Sequence, residues 1–279
     1  MRFLILITLI FSSCTTLQWR ETDKEIYATH IEKGIPTKIS YYPVDSLDLK
    51  IRVQEITQPD NSITLFFIHG APSSLASWNK YLQNDSLNKK VNLVAIDRPG
   101  YGYSNFGNEM PSIKKQSKLL SDLITSYNLK NTIVIGSSYG GPIAAQIATQ
   151  NKNVKGVIMV SPAIDPLNEK EFWVSRLTQW WITRWMVPTG YRVAGDEKTI
   201  HALELTALEK GWKKVTIPVV HIHGDADKIV PYINIEYTPK HFRNHKVVTI
   251  PNTGHEIAWA NPELILPHIY NLIEEIEKD

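Results

Sequence analysis

The stretch Thr132-Ile133-Val134-Ile135-Gly136-Ser137-Ser138-Tyr139-Gly140, continuing through Pro142-Ile143-Ala144-Ala145-Gln146-Ile147-Ala148, decides how the rest of the chain is read. A buried-looking apolar run, a five-residue turn closed by glycines and an alanine- and isoleucine-rich segment give strand, tight turn and helix in succession. Such a turn holds Ser138 in a strained backbone conformation with its hydroxyl at the tip. Side chains two residues to either side would collide, so both flanks are glycine. Pro142 suits the first turn of a helix, where its missing N–H costs nothing. Small residues cluster in many structural turns, but the strand and helix on either side make Ser138 a candidate nucleophile.

A serine hydroxyl is a weak nucleophile near neutrality, so Ser138 needs a base, an orienting acid and an oxyanion site. Lys246-Val247-Val248-Thr249-Ile250 reads as a strand and leads into Pro251-Asn252-Thr253-Gly254-His255. Of the nine histidines, His255 is the best placed to reach a serine presented at the same sheet edge. Upstream, Ile217-Pro218-Val219-Val220-His221-Ile222-His223 is a further strand, and the turn after it carries Asp225 and Asp227. Either aspartate could accept the second ring N–H of His255 and fix its tautomer. Asp165, in Ser161-Pro162-Ala163-Ile164-Asp165, is a third candidate acid.

Five motifs in this order resemble the α/β-hydrolase superfamily, in particular its single-domain branch with a lid inserted after the sixth strand. They are His69-Gly70, Asp97-Arg98-Pro99-Gly100-Tyr101-Gly102-Tyr103-Ser104, Gly136 to Gly140, Gly224 to Asp227 with Pro231, and Gly254-His255. The resemblance spans about residues 60 to 265. It implies a mostly parallel, doubly wound, eight-stranded sheet with an inserted helical lid. It also assigns the acid to Asp227 rather than Asp225, and the oxyanion donors to the backbone N–H groups of Ala71 and Tyr139. Pro72 cannot donate, which leaves Ala71 beside Gly70 in that loop. His69 reads as a structural residue under the site.

Composition agrees with an α/β domain. At 279 residues and 43% hydrophobic content, the chain is long enough for one large core. A formal net charge of +2, without basic runs interleaved with aromatics, argues against nucleic acid as a partner. Leu49-Lys50-Ile51-Arg52-Val53 alternates as a strand, so residues 37–57 are expected to form two antiparallel strands. Strands and helices then alternate. Pro111-Ser112 should cap a helix reaching about Tyr127, and Val157-Ile158-Met159-Val160 is a buried strand. Alternation of this kind puts a site at the carboxyl ends of parallel strands.

The amino-terminal residues are of another kind. Arg2 precedes Phe3-Leu4-Ile5-Leu6-Ile7-Thr8-Leu9-Ile10-Phe11 and then Ser12-Ser13-Cys14. A basic residue, a short apolar run and small residues make an export signal, and the run is about half the ~20 residues a membrane span needs. The segment resembles a bacterial lipoprotein signal, which implies lipidation of Cys14, although Phe11 replaces the usual aliphatic residue. Residues 1–14 are therefore expected to be a signal peptide ending at the cysteine, 15–30 a polar spacer and 31–279 the domain. The expected location is a bacterial membrane, facing the periplasm or the exterior, with the lipid anchor as the membrane contact. Cys14 is the only cysteine, so no intramolecular disulfide can form.

Between about residues 166 and 211 the alternation stops, and Trp173, Trp180, Trp181 and Trp185 gather there. Trp173, Leu177, Trp181 and Trp185 fall four apart, the spacing of one helical stripe. Such a stripe packs a lid onto the domain, Trp181 or Trp185 can also roof a pocket, and contact of the lid with lipid is a third possibility, which fits a tethered protein. Trp78 and Trp259, near the oxyanion loop and His255, are further pocket candidates, with core packing as the plainer alternative. The expected activity is hydrolysis of a small or medium, largely apolar ester or related acyl compound, with no cofactor and no metal. Cleavage of a carbon–carbon bond, perhydrolase chemistry, or a surface binding module without catalysis are the alternatives. Serine at position 138 departs from the haloalkane-dehalogenase and epoxide-hydrolase branches, which resemblance gives an aspartate there. His69-Gly70-Ala71-Pro72 lacks the Gly-Gly-Pro-Gly of proline iminopeptidases.

Overall fold

The computed structural model describes residues 20–170 and 175–278. Eight strands form one sheet: β1 (Lys38–Val44), β2 (Leu49–Ile56), β3 (Thr64–Ile68), β4 (Asn92–Ile96), β5 (Thr132–Ser137), β6 (Val154–Val160), β7 (Val219–Gly224) and β8 (His245–Ile250). Their spatial order is β1-β2-β4-β3-β5-β6-β7-β8. β2 runs antiparallel to both neighbours, and every pairing from β4 to β8 is parallel. This is the expected doubly wound, mostly parallel sheet. β3 and β5 are buried at every position, which is why they read as continuous apolar runs rather than as alternating ones.

The main helices are α1 (Asp23–Glu32), α2 (Ile113–Ser126), α3 (Gly140–Ala148), α4 (Ser175–Gln179), α5 (Trp181–Arg184), α6 (Thr189–Trp212), α7 (Ile257–Ala260) and α8 (Pro262–Ile276). Ile113, Leu120 and Leu123 of α2, Ile143 and Ile147 of α3 and Leu205 of α6 share one core layer with Phe66 and Val134. Ile26 of α1 and Ile265, Ile269 and Ile273 of α8 fill the opposite layer with Phe67 and Ile135. Ser112 caps α2 as expected, its hydroxyl accepting from the Lys115 N–H at 3.2 Å. That satisfies one of the donors a helix start leaves open.

Two expectations change. Residues 20–30, read as the end of a polar spacer, are packed onto the domain. Thr22 and Glu25 form a reciprocal capping box, Ile26 and His30 are buried one turn apart, and Arg52 pairs with Asp23 at 2.5 Å. Only two residues of this helix are buried, and its other isoleucine, Ile31, is exposed, so no apolar stripe could be read. The tryptophan stripe is also broken. The backbone at Trp180 is extended, with ψ near 120°, so α4 ends before it and α5 begins after it. Trp173 and Cys14 lie outside the described residues.

Candidate active site

Ser138 stands at the carboxyl end of β5 with φ near 54°, a left-handed conformation that costs a non-glycine residue of order 1–3 kcal/mol. The flanking glycines are required by close approach. A Cβ at Gly136 would lie 2.2 Å from the Gly140 carbonyl oxygen, and one at Gly140 would lie 2.5 Å from that of Ile68. The turn is fastened to β6, because the Ser138 N–H donates to the Val160 carbonyl at 3.0 Å.

His255 follows β8 and Asp227 follows β7, so with Ser138 all three sit at carboxyl ends of parallel strands. His255 Nδ1 donates to Asp227 Oδ2 at 2.7 Å. The other carboxylate oxygen accepts from the Ile229 and Val230 N–H groups at 2.8 and 2.9 Å. Burial alone would raise the Asp227 pKa, but the hydrogen bonds from His223 and His255 hold it well below the usual carboxylate range. Asp227 therefore stays ionised beside His255. Asp165 instead accepts from the Leu167 N–H and the Asn168 amide of its own loop, and Asp225 accepts from the Asn252 N–H.

Behind Asp227 lies a buried chain that the sequence did not suggest. His223 Nε2 is 3.4 Å from Asp227 Oδ2 and 3.2 Å from the Val230 carbonyl, both acceptors, so it donates. His223 Nδ1 then accepts from His221 Nε2 at 3.0 Å, and His221 Nδ1 accepts from the Thr238 hydroxyl at 2.7 Å. Burial, with the neighbouring His223 second, drives the His221 pKa well below its ordinary value. His221 therefore stays neutral, and the chain fixes the orientation of the acid. His-x-His on a buried strand was its only sequence signal.

Tyr139 is the residue immediately before α3, and Ala71 follows the end of β3. At the start of a helix the first N–H groups have no partner within the helix and suit an anion. His69 is fully buried; its Nε2 accepts from the Arg98 N–H at 2.9 Å and its Nδ1 donates to the Gly70 carbonyl at 2.7 Å. Arg98 grips the same loop, its Nε donating to the His69 carbonyl at 2.9 Å and its Nη2 to that of Gly70 at 3.0 Å. Sequence reasoning passed over Arg98 as part of a turn motif.

Ser138 lines two adjoining cavities. One, of about 480 Å³, has Ala71, Pro72, Tyr139, Ala163, Ile229 and Val230 on its wall, with Glu169, Lys198 and His201 from residues 169–201 at one side. The other, of about 590 Å³, holds His255, Trp259, Ala71 and Tyr191. Ser138, Ala71, Tyr139, His255 and Trp259 are thus brought together around joined space. Trp78 is not among them: it is buried against Phe67 and Tyr81, with ring centroids 5.0 and 5.4 Å away. Trp181 and Trp185 are also outside the cavities, being 81% and 69% exposed. The break at Trp180 turns them from the domain toward solvent, so they do not roof the site.

The sequence profile described as "alpha/beta hydrolase fold" matches residues 63–186. Over 254 residues the chain is 25% identical to the "Putative non-heme chloroperoxidase" of Synechocystis sp., covering 75% of this chain and 91% of that one. It is 24% identical to the "Putative esterase/lipase 2" of Mycoplasma pneumoniae, over 76% and 90% of the two chains. Among solved structures, a membrane phospholipase A superposes with a TM-score of 0.68 at 19% identity, covering 100% and 99%; that likeness shows the fold. Together the profile and the two relatives support the α/β-hydrolase superfamily.

Proposed function

We propose that the protein is a serine hydrolase that cleaves an apolar ester or related acyl compound through an acyl-enzyme. The observation that carries this reading is the 2.7 Å hydrogen bond from His255 to Asp227, with His255 and Ser138 on the wall of one cavity. In this reading the Ser138 hydroxyl attacks the acyl carbon as His255 takes its proton. The N–H groups of Ala71 and Tyr139 hold the oxyanion. Collapse of the adduct breaks the ester C–O bond, and His255 returns the proton to the leaving alcohol. Water, deprotonated by His255, then releases the acid and restores Ser138. Asp227 holds His255 in the required tautomer and stabilises its protonated form. The largely apolar wall of Ala71, Pro72, Ala163, Ile229 and Val230 suits an apolar acyl group, and the helices of residues 175–212 act as the lid over it.

The relative named a chloroperoxidase favours one variation at the same acyl-enzyme. Hydrogen peroxide in place of water would release the acyl group as a peracid, with Ser138 restored in the same way.

The reading includes export and lipid attachment at Cys14, supported by the order Arg2, apolar run, Ser12-Ser13-Cys14. A fluorophosphonate probe tests the nucleophile: it should label the wild-type protein at Ser138 and leave folded Ser138→Ala unlabelled. Failure of the folded wild type to react overturns the proposal. A panel of esters graded by acyl length, run with and without peroxide, then fixes the substrate and acceptor. Membrane fractionation of wild-type and Cys14→Ser protein tests the anchor.

A further inference from the structure

We propose that the exposed face around α5 docks on a lipid bilayer, so that the cavity beside Ser138 opens toward the membrane and takes apolar esters dissolved in it. The first observation is the exposure of Trp180, Trp181, Ile182, Trp185 and Met186, five large apolar side chains within seven residues. Soluble surfaces rarely leave so dense an apolar patch without a partner. Tryptophan favours the boundary between lipid and water, where its ring is buried and its N–H stays wet. Among the described residues no helix is long and apolar enough to cross a membrane, so the contact is peripheral.

The second observation concerns where the described chain begins. Arg20 and Glu21 line the cavity that holds Ser138 and His255, as does Tyr191 in the first turn of α6. The Arg20 guanidinium lies 4.7 Å from the ring centres of both Tyr103 and Phe106. Next along, a Cβ on Gly107 would come 2.9 Å from the Thr189 methyl. The entering chain, the cavity mouth and the start of α6 therefore lie on one side of the molecule, and Met186 is three residues before Thr189. Cys14 is six residues before Arg20, at most about 20 Å of extended chain. A lipid on Cys14 would bring that side to the bilayer.

The tether favours lipid over a second copy of the chain, since an acyl chain at Cys14 itself partitions into a bilayer. Arg184 on this face is paired with Asp196 at 2.6 Å and adds no net charge to it.

The test uses the full chain and the Trp181→Ser/Trp185→Ser variant on phosphatidylcholine–phosphatidylglycerol vesicles. With brominated acyl chains, wild-type tryptophan emission should be quenched, and the variant should lose most of that quenching. Turnover of an ester partitioned into the vesicles should fall at least tenfold in the variant, while turnover of a water-soluble short-chain ester stays unchanged. Equal quenching, or equal loss on both esters, overturns the proposal. So does a lipid-free wild-type dimer that the variant converts to monomer. The kinetic arm rests on the hydrolase reading and the quenching arm does not. Absence of all ester turnover with quenching intact would therefore reject the hydrolase reading alone.

Discussion

Arg98 of the loop after β4 and Glu197 of α6 form a buried ion pair, with side chains 0% and 1% exposed. Arg98 Nη1 donates to Glu197 Oε1 at 2.5 Å and Nη2 to Oε2 at 3.2 Å, and the Tyr101 hydroxyl donates to the same carboxylate at 2.7 Å. Because Arg98 also holds the carbonyls of His69 and Gly70, the pair ties α6 to the loop that carries Ala71.

Glu197→Ala should therefore act in two ways. A buried guanidinium left without its partner typically costs about 3–5 kcal/mol, readable as a lower urea midpoint. Where folded protein remains, kcat should fall more than KM changes, since in the proposed mechanism the released loop positions a transition-state donor rather than the substrate. Glu197→Gln keeps the shape and part of the hydrogen bonding and should lie between. An unchanged midpoint together with unchanged kcat would show that the pair does neither.

Asp227→Asn should lower kcat by roughly 10⁴-fold, the scale seen when a triad histidine loses its tautomer. Asp165→Asn should cost less than tenfold, because its carboxylate serves its own loop. Asp225→Asn should cost far less than Asp227→Asn, because its carboxylate braces the His255 loop through the Asn252 N–H and does not bind the ring. Full activity in Asp227→Asn alongside loss in Asp165→Asn would move the acid to the loop after β6.

The parts of the site that were legible in the sequence are those fixed by local backbone sterics. Gly136 is demanded by its contact with Gly140 within the turn itself, and β3 and β5 are apolar throughout because both their faces are covered. The rest depends on partners distant in the sequence. Nothing local to His221 and His223 says that they stack behind Asp227, and nothing local to Glu197 says that Arg98 waits for it 99 positions away. The four-residue spacing of Trp173, Leu177, Trp181 and Trp185 matches a helical period in the sequence alone. It could not reveal that the backbone leaves the helix at Trp180 and turns the last two rings outward.

Stability should fall on acidification before any carboxylate of the site titrates. Burial holds the pKa of His69 well below its ordinary value, with Arg98 second, and burial likewise lowers that of His221. In the folded protein both stay neutral, whereas in the unfolded chain they take up protons below about pH 6.5. The unfolded state then binds more protons, so unfolding free energy rises with pH through this window and levels off above it. The slope should be about 1.4 kcal/mol per pH unit for each histidine. Urea midpoints measured from pH 7.5 to 5 check this, and a flat series would mean these histidines are charged in the folded state. Asp227, whose pKa is depressed, contributes in the opposite range, its stabilisation being lost only at far lower pH.

Ala71 can be tested through the one feature that matters for an oxyanion donor, its backbone N–H. Side-chain truncation leaves that group in place, so Ala71→Gly should retain most activity. Ala71→Pro removes the donor, and the loss of one such hydrogen bond typically costs 10²–10³ in kcat, roughly 3 kcal/mol of transition-state stabilisation. Since the donor meets the oxyanion rather than the ground-state carbonyl, KM should change little. Proline also alters the loop, so the comparison needs a measure of folding, for which the urea midpoint serves. It needs a measure of nucleophile integrity as well. The Ser138 backbone is hydrogen-bonded to β6 through the Val160 carbonyl, so a small, neutral serine-directed sulfonyl fluoride should still label Ala71→Pro to completion, though more slowly. A folded, labelled variant with wild-type kcat would remove Ala71 from the oxyanion site and leave Tyr139 to be paired with another N–H, that of Gly70 being the nearest in the loop.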